Sequence, residues 1–346
     1  MPFTKAQLDR ITAPDLIPQT RVPHLATRIA ESFLKRRLFV FEDAAVLAQQ
    51  RMYREAYADL RLYANVASES ANLSKLGQDR ASQDFKNRFM GYVEERLNRL
   101  TNDVAAEGLR AATKAWYASY YGRLWLLDVA TRADVRIPVE PPPIDKVARQ
   151  TLQRLKEDVY DDLIRDLLGR EWREQYATEL DDLILRIRRS ISNGMSNGEG
   201  ISDIMRRVRA EMGVSTDRRS GFRANFNRIQ VITRSVVNAS SNAGAVEAYR
   251  RNVDVLDGYQ WLTARDERVC VQCRGLDGRI ERLNSSFRPP AHPNCRCTVI
   301  PVVRQDILVE YDAPPRQTMS EWADSFGLAL FLSDFLSVRR LESERI

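Results

Sequence analysis

The sequence has few of the residues on which most catalytic chemistry depends, and it has no long apolar run. Only two histidines and four cysteines occur among its 346 residues. No Ser/His/Asp or Cys/His/Asn arrangement, Gly-rich phosphate loop or metalloprotease helix can be identified, which excludes the common hydrolase and nucleotide-binding motifs. The longest apolar run, Phe326–Leu332, is far shorter than the roughly 20 residues that span a bilayer. A membrane-spanning chain is therefore not expected.

The first residues also lack the apolar region and the cleavage site of a secretory signal, so we expect synthesis in a cytoplasm. With 44% hydrophobic and 29% charged residues, the chain has enough apolar surface to build a sizeable core. Disorder along its whole length is thereby excluded. At about 100–200 residues per domain, the length predicts two domains or three smaller units.

Glycine and proline are nearly absent between residues 25 and 120, which favours long uninterrupted helices. Apolar residues recur at helical spacing along this part of the chain. An aromatic group that follows predicts the core of a helical bundle; its members are Trp116, Tyr117, Tyr120, Tyr121 and Trp125. A proline-rich stretch at 138–143 then predicts a domain boundary. The N-terminal helical domain is expected to comprise residues 1–136.

Helical periodicity resumes after the prolines and predicts a second helical region over residues 144–252. One of its helices is expected to end at Ser192–Gly194, because glycine suits a left-handed C-cap. A later run of seven small residues, 239–245, predicts the close approach of a neighbouring backbone.

The pattern changes after Asn252. Alternating residues around Trp261 and the β-branched run at 298–303 predict strands, in a small β-rich Cys/His unit over residues 253–305. Residues 316–346 predict an amphipathic C-terminal helix, which packs on the protein's own body or docks on a partner. A membrane surface is a less favoured alternative, because the stretch 319–340 lacks lysine and has its basic residues only at the end. The expected fold is mainly α with a small α+β C-terminal unit: a long helical N-terminal region, a compact Cys/His-containing β unit and a C-terminal helix.

Positive charge is concentrated in one stretch. Ten arginines and four acids lie between Gly200 and Arg251, so this stretch accounts for the whole net charge of +6. A basic patch is typical of a protein with a polyanionic partner, although a solvated helix face is the alternative. The candidate nucleic-acid contacts are Arg206, Arg207, Arg209, Arg218, Arg219, Arg223 and Arg228.

All four cysteines fall within 28 positions, together with one of the two histidines. Cys270 and Cys273 form a C-x₂-C knuckle, and His292, Cys295 and Cys297 follow one loop later, a spacing typical of a zinc site. A structural zinc takes four ligands, and the three residues Cys270, Cys273 and Cys295 fit most naturally, with either His292 or Cys297 as the fourth. Disulfides formed after export inside a particle, and free thiols, are the alternatives.

Several motifs follow one another in this region. They are W-x-T-x-x-D from Trp261, C-x₂-C from Cys270, L-D-G from Leu276 and H-P-N-C-R-C from His292. Together they resemble the phage Mu F-like minor head protein family, also called the phage head morphogenesis proteins. Residues 194–213 and the segment around 232–239 resemble the same family, so that the resemblance covers about residues 145–303.

The resemblance implies a low-copy, non-enzymatic virion protein of a tailed phage, made in the host cytoplasm and retained inside the phage head. Its implied partners are the portal protein, other head or scaffold proteins and the genomic double-stranded DNA, with no membrane span. Some family members are fused to toxin or transferase domains, so a phage-encoded enzyme or toxin-like transferase carried in the head is one alternative. A zinc-knuckle DNA-binding protein is another.

Overall fold

The computed structural model describes residues 24–73, 75–131, 135–137, 172–214, 223–264 and 267–307, together with Trp322 and Ser325. The long helices are α1 (His24–Ser70), α2 (Arg80–Ala130), α3 (Trp172–Ser196), α4 (Ile201–Glu211) and α5 (Arg223–Arg250). They are followed by β1 (Leu256–Leu262), the short helix α6 (Val271–Leu276), β2 (Ile280–Glu281) and β3 (Thr298–Val303). The predicted fold, mainly α with a small α+β unit near the C-terminus, is confirmed.

The three strands form one antiparallel sheet in the order β2-β1-β3. The central strand places Tyr259 opposite Glu281 on one side and opposite Pro301 on the other. The pairing with β3 shifts register between Leu256 and Gly258. Every residue of β3 is buried, as expected of the β-branched, apolar run at 298–303.

Contacts along the chain divide it into two compact units. We call the first the helical unit; it consists of Asp43–Arg110 and Arg170–Thr233. We call the second the sheet unit; it consists of Met1–Glu42, Ala111–Gly169 and Arg234–Ile346. Both are assembled from segments that are distant in sequence, and the four-part division inferred from sequence patterns stays a prediction.

The helical unit buries the apolar face that was expected for α4. Ile201, Ile204, Met205 and Val208 are all buried. The predicted end of α3 at Gly194 is wrong, because the helix continues to Ser196 and the left-handed residue is Gly198, with φ of 64°. Gly194 serves packing instead: a Cβ there would lie 2.5 Å from Cγ1 of Ile204.

The helical unit also buries a set of polar side chains that bond to one another. The Gln49 amide donates to the Val104 carbonyl at 3.1 Å, and its Oε1 lies 3.1 Å from the Thr233 hydroxyl. Thr233 Oγ1 is in turn 2.8 Å from the Tyr176 hydroxyl. Burial is the main cause that raises the pKa of Tyr176 to about 12. These three side chains form what we call the Thr233 network.

The sheet unit has an aromatic core in which the predicted group Trp116–Trp125 is buried. Other large members of this core are Leu124, Tyr249, Leu256, Tyr259 and Ile300. Within this core the backbones of α2 and α5 approach closely, so that a Cβ on Gly244 would overlap the carbonyl oxygen of Trp116. The close backbone approach predicted for the small-residue run is confirmed. Arg123 of α2 is 1% exposed and donates to Oγ1 of Thr298 at the start of β3, at 2.9 Å.

Of the predicted C-terminal helix, only Trp322 and Ser325 are described, and both are helical. Trp322 is 1% exposed and belongs to the aromatic core of the sheet unit, which favours intramolecular packing at this position. The rest of the predicted tail helix, and the predicted helical periodicity at 152–167, lie outside the described residues. In the described part of the chain, no helix has the length and apolar character that crossing a membrane requires.

Candidate metal centre

The W-x-T and L-D-G motifs close the loop that carries the two knuckle cysteines. The Trp261 N–H donates to the Arg279 carbonyl at 2.7 Å, and the Gly278 N–H donates to the Trp261 carbonyl at 2.9 Å. Asp277 Oδ1 accepts the N–H of Thr263 at 2.9 Å and its hydroxyl at 3.1 Å. These bonds tie β1 to the chain that leaves α6. The motif residues therefore have a structural role, which is to hold both ends of the knuckle.

The knuckle itself points two thiols to the same side. Cys270 is the N-cap of α6, and its Sγ accepts the backbone N–H of Cys273 at 3.4 Å. Cys273 is buried, whereas Cys270 is partly exposed and Val271 at the tip is 84% exposed. A cysteine at an N-cap replaces the usual oxygen acceptor with sulfur, and the turn that results brings the C-x₂-C thiols together.

We call the Cys270–Cys273 knuckle the first arm of the cluster and the H-P-N-C-R-C loop, His292–Cys297, the second arm. A tight turn is made at Asn294, whose φ is 61°, and the Cys295 N–H donates to the His292 carbonyl at 3.1 Å. His292 Nδ1 lies 2.9 Å from the Pro293 carbonyl, so the ring is oriented with Nε2 towards the knuckle. This arrangement is typical of metal-binding histidines, which donate one ring N–H to a carbonyl and leave the other nitrogen for the ion.

The two arms converge. His292 Nε2 is 3.2 Å from Cys270 Sγ and 3.1 Å from Cys273 Sγ, and Cys273 Sγ is 3.8 Å from Cys295 Sγ. Two groups each have all their ligand atoms within 4.8 Å of one another: Cys270 with Cys273 and His292, and Cys273 with Cys295 and Cys297. All five residues predicted from the sequence are thus brought together, and Cys273 is common to both groups. The four cysteines are free thiols in this structure.

The crowding of these groups shifts their pKa values in opposite directions. Hydrogen bonds from the Cys273 and Cys297 thiols hold the pKa of Cys295 well below its ordinary value. The hydrogen bonds that Cys273 makes with Cys295 and Cys297 raise the pKa of Cys273. A hydrogen bond to Cys295 raises the pKa of His292 to about 9. These shifts favour the thiolate form of Cys295 and the protonated form of Cys273. A divalent cation bound by these groups would replace the protons that they retain.

Three side chains of α5 hold the second arm, and they were not among the site residues predicted from the sequence. The Asn238 amide donates to the Cys295 carbonyl, and the Asn242 amide donates to the Cys297 carbonyl at 3.2 Å. The Ser235 hydroxyl accepts the Asn294 N–H at 2.9 Å. We call these three residues the α5 ladder. A pattern could have revealed them, because polar residues at i, i+3 and i+7 on an otherwise buried helix face require partners.

The candidate nucleic-acid arginines are largely engaged within the helical unit. Arg206 pairs with Asp203, Arg207 with Glu199, and Arg228 with Glu179. The Arg209 guanidinium lies 5.9 Å from the centre of the Tyr57 ring. Arg218 and Arg219 lie outside the described residues, and the side chain of Arg223 is not described either. Surface ion pairs of this kind contribute about 0–1 kcal/mol, so a phosphate can replace the carboxylate at little cost.

Comparison with known proteins finds a family that resembles the part of the chain containing this centre. Residues 186–300 match the family described as Phage Mu protein F like protein. Minor head protein GP7 of Bacillus phage SPP1 is 29% identical over 142 residues, which cover 36% of this chain and 43% of the relative. The matched segment thus spans less than half of that relative's length. No solved structure matches the chain. The resemblance to Mu F-like head morphogenesis proteins is confirmed. The matched segment includes all five Cys/His residues of the two arms.

Proposed function

We propose, from the premise that residues 186–300 form a Phage Mu protein F like segment, that this chain is a non-enzymatic minor head protein of a tailed phage. The relative from Bacillus phage SPP1 is a minor head protein, which supports a place in the head for this chain. A single observation carries the proposal: the matched segment contains both arms of the Cys/His centre and the helix that holds the second arm. Its donor groups are arranged as a structural site is, with several cysteines on a rigid frame.

The head assignment is tested in the phage that encodes this chain. Mass spectrometry of purified particles should detect the chain at a few copies per head, protected from added protease until the heads are opened. Deleting the gene should leave particles that assemble abnormally or fail to infect. Absence of the chain from purified heads, with normal particles from the deletion, would contradict the proposal.

The portal protein, with other head or scaffold proteins, is the proposed set of partners. Cross-linking of procapsids followed by mass spectrometry tests this, and the expected result is that lysines of this chain link to the portal more often than to the major shell. Cross-links confined to other proteins would contradict a portal association.

The proposed cofactor is one structural zinc ion held by Cys270, Cys273, His292 and Cys295. The support is the continuous run of contacts from Cys270 through His292 and Cys273 to Cys295, at 3.1 to 3.8 Å. Three thiolates and an imidazole are a common ligand set of structural zinc sites. Cys297 then remains as a thiol beside the centre. A centre whose four positions are filled by protein supplies folding energy and fixes the loop, and it leaves no place for a substrate.

Genomic DNA is the proposed polyanionic partner of the basic stretch 206–228. The contacts would be with phosphates and without base readout, because the described arginines lie on a helical surface and pair with carboxylates that a phosphate can replace. Replacing Arg206, Arg207 and Arg209 by Gln should weaken binding to unrelated DNA sequences equally and reduce its salt dependence. Unchanged binding in this variant would contradict the proposal.

A further inference from the structure

We infer that the α5 ladder positions the second arm of the metal centre, so that Ser235, Asn238 and Asn242 control how tightly the ion is held without touching it. The inference rests on the proposed zinc site. It assigns a role to three residues of a helix that contributes no ligand of its own.

The geometry of the ladder matches the geometry of the arm. Positions 235, 238 and 242 lie along one face of α5, and at 1.5 Å per residue they span about 10 Å. They bond in the same order to Asn294, Cys295 and Cys297, so the arm runs alongside the helix in the same direction. The main chain of the arm is therefore held at three successive points, and two of these are the cysteines themselves.

The two asparagines of the ladder are also hydrogen-bonded to each other. The Asn242 amide lies 2.5 Å from Asn238 Oδ1 and 3.0 Å from the Asn238 carbonyl, while the Asn238 amide is directed to Cys295. Both side chains are at most 3% exposed. Removing either amide would leave a buried carbonyl of the second arm without its donor. We expect the arm to shift until that carbonyl finds another hydrogen-bond donor.

The first arm has a different support. Cys270 and Cys273 are held by the turn of α6 and by the bonds of Thr263 with Asp277, which involve no residue of α5. Loosening the ladder should therefore displace Cys295 and Cys297 and leave the knuckle in place. Metal sites of this kind depend on outer residues, whose replacement typically lowers metal affinity about 10- to 100-fold.

The test compares the full-length zinc-loaded chain with the double variant Asn238→Ala/Asn242→Ala. Asn252→Ala is the matched control, because Asn252 is a buried asparagine just beyond α5 whose amide bonds to the Ala248 carbonyl at 2.8 Å, within the same segment. The rate of zinc transfer to a chromogenic chelator should rise at least about 10-fold in the double variant. It should stay within about twofold of the parent rate in the control.

A second measurement keeps this inference separate from the zinc assignment. In chelator-treated protein, alkylation by iodoacetamide should become faster at Cys295 and Cys297 in the double variant, and it should be unchanged at Cys270. A parent chain that holds no zinc would remove the zinc proposal, while selective alkylation would still support the ladder. If the double variant loses its cooperative unfolding transition, Ser235→Ala, which removes only the acceptor for Asn294, is compared in the same two measurements. Equal transfer rates and equal alkylation in the ladder variants and the control would overturn the inference.

Discussion

The two compact units differ in how the hydrogen-bonding capacity of their buried polar groups is satisfied. In the helical unit, Gln49, Tyr176 and Thr233 complete one another's hydrogen bonds and end on a main-chain carbonyl. In the sheet unit, four thiols and an imidazole lie close together. Hydrogen bonds among the sulfurs raise the pKa of Cys273 and lower that of Cys295. A closed network of this kind stabilises a fold alone. An open set of soft donors is one that a metal ion could complete.

The largest expected effect is loss of zinc when the residue common to both donor groups is changed. Cys273→Ser should reduce zinc from about one ion per chain to a trace, because the remaining groups no longer surround one position. Cys297→Ser is the matched control, and it should keep its zinc because Cys297 is the residue left over. Elemental analysis of the freshly purified proteins measures both. Equal zinc contents in the two variants would contradict the proposal that Cys273 is a ligand and Cys297 is not.

Next in size is the effect of a methyl group on the helix that holds the second arm. Gly244→Ala should lower the free energy of unfolding by about 3 kcal/mol, because its Cβ meets the main chain of Trp116, which cannot move aside. Gly91→Ala in α2 is the control: nothing lies within 4 Å of its Cβ, and the change should stabilise by about 0.5–1 kcal/mol. Urea unfolding followed by circular dichroism measures both. A destabilised Gly91 variant beside a tolerated Gly244 variant would contradict the packing described for α5.

Breaking the Thr233 network should lower the free energy of unfolding and leave the zinc content unchanged. Thr233→Val keeps the shape of the side chain and removes the hydroxyl on which Gln49 and Tyr176 depend. Since buried partners left unsatisfied cost about 1–3 kcal/mol, a loss in that range is expected on urea unfolding. Zinc content should equal that of the parent. A Thr233→Val protein that unfolds like the parent would show that the network does not stabilise the helical unit.

The smallest expected effect is a pH dependence of the metal-free chain. Its fold raises the pKa of His292 to about 9, above the ordinary value of about 6.5 for an unfolded chain. A raised pKa contributes stability that is fully present below pH 6.5 and is lost as the pH rises through about 9. The stability difference between the parent and His292→Gln should therefore shrink over this interval in chelator-treated samples. A difference that grows with pH would contradict the contact between His292 and Cys295.

Much of this fold could be read from local patterns. Long helices followed from the scarcity of glycine and proline, and β3 followed from its β-branched residues, because these signals act over a few neighbouring positions. The prediction that α3 ends at Gly194 was wrong because it, too, rested on neighbouring positions alone. Its local pattern suits a helix end, but the residue is small because Ile204 packs against it, and a contact between helices leaves no trace in the spacing of one helix.

The ligands of the candidate site were also predictable, whereas their support was not. Cysteine and histidine are rare in this chain, so their clustering was visible at once. Asn238 and Asn242 are ordinary residues on a helix more than 50 positions away from the carbonyls they hold. Their role depends on the tertiary packing of α5 against the second arm, and sequence spacing alone does not encode that register.

The central claim is that the Cys/His cluster of the Mu F-like segment is a zinc centre with His292 as its nitrogen ligand. X-ray absorption at the zinc edge of the full-length protein tests it most directly. The expected spectrum shows three sulfur ligands at about 2.3 Å and one nitrogen ligand at about 2.0–2.1 Å. Protein purified without zinc and with two disulfides, or a spectrum fitted by four sulfur ligands that does not change in His292→Gln, would contradict it.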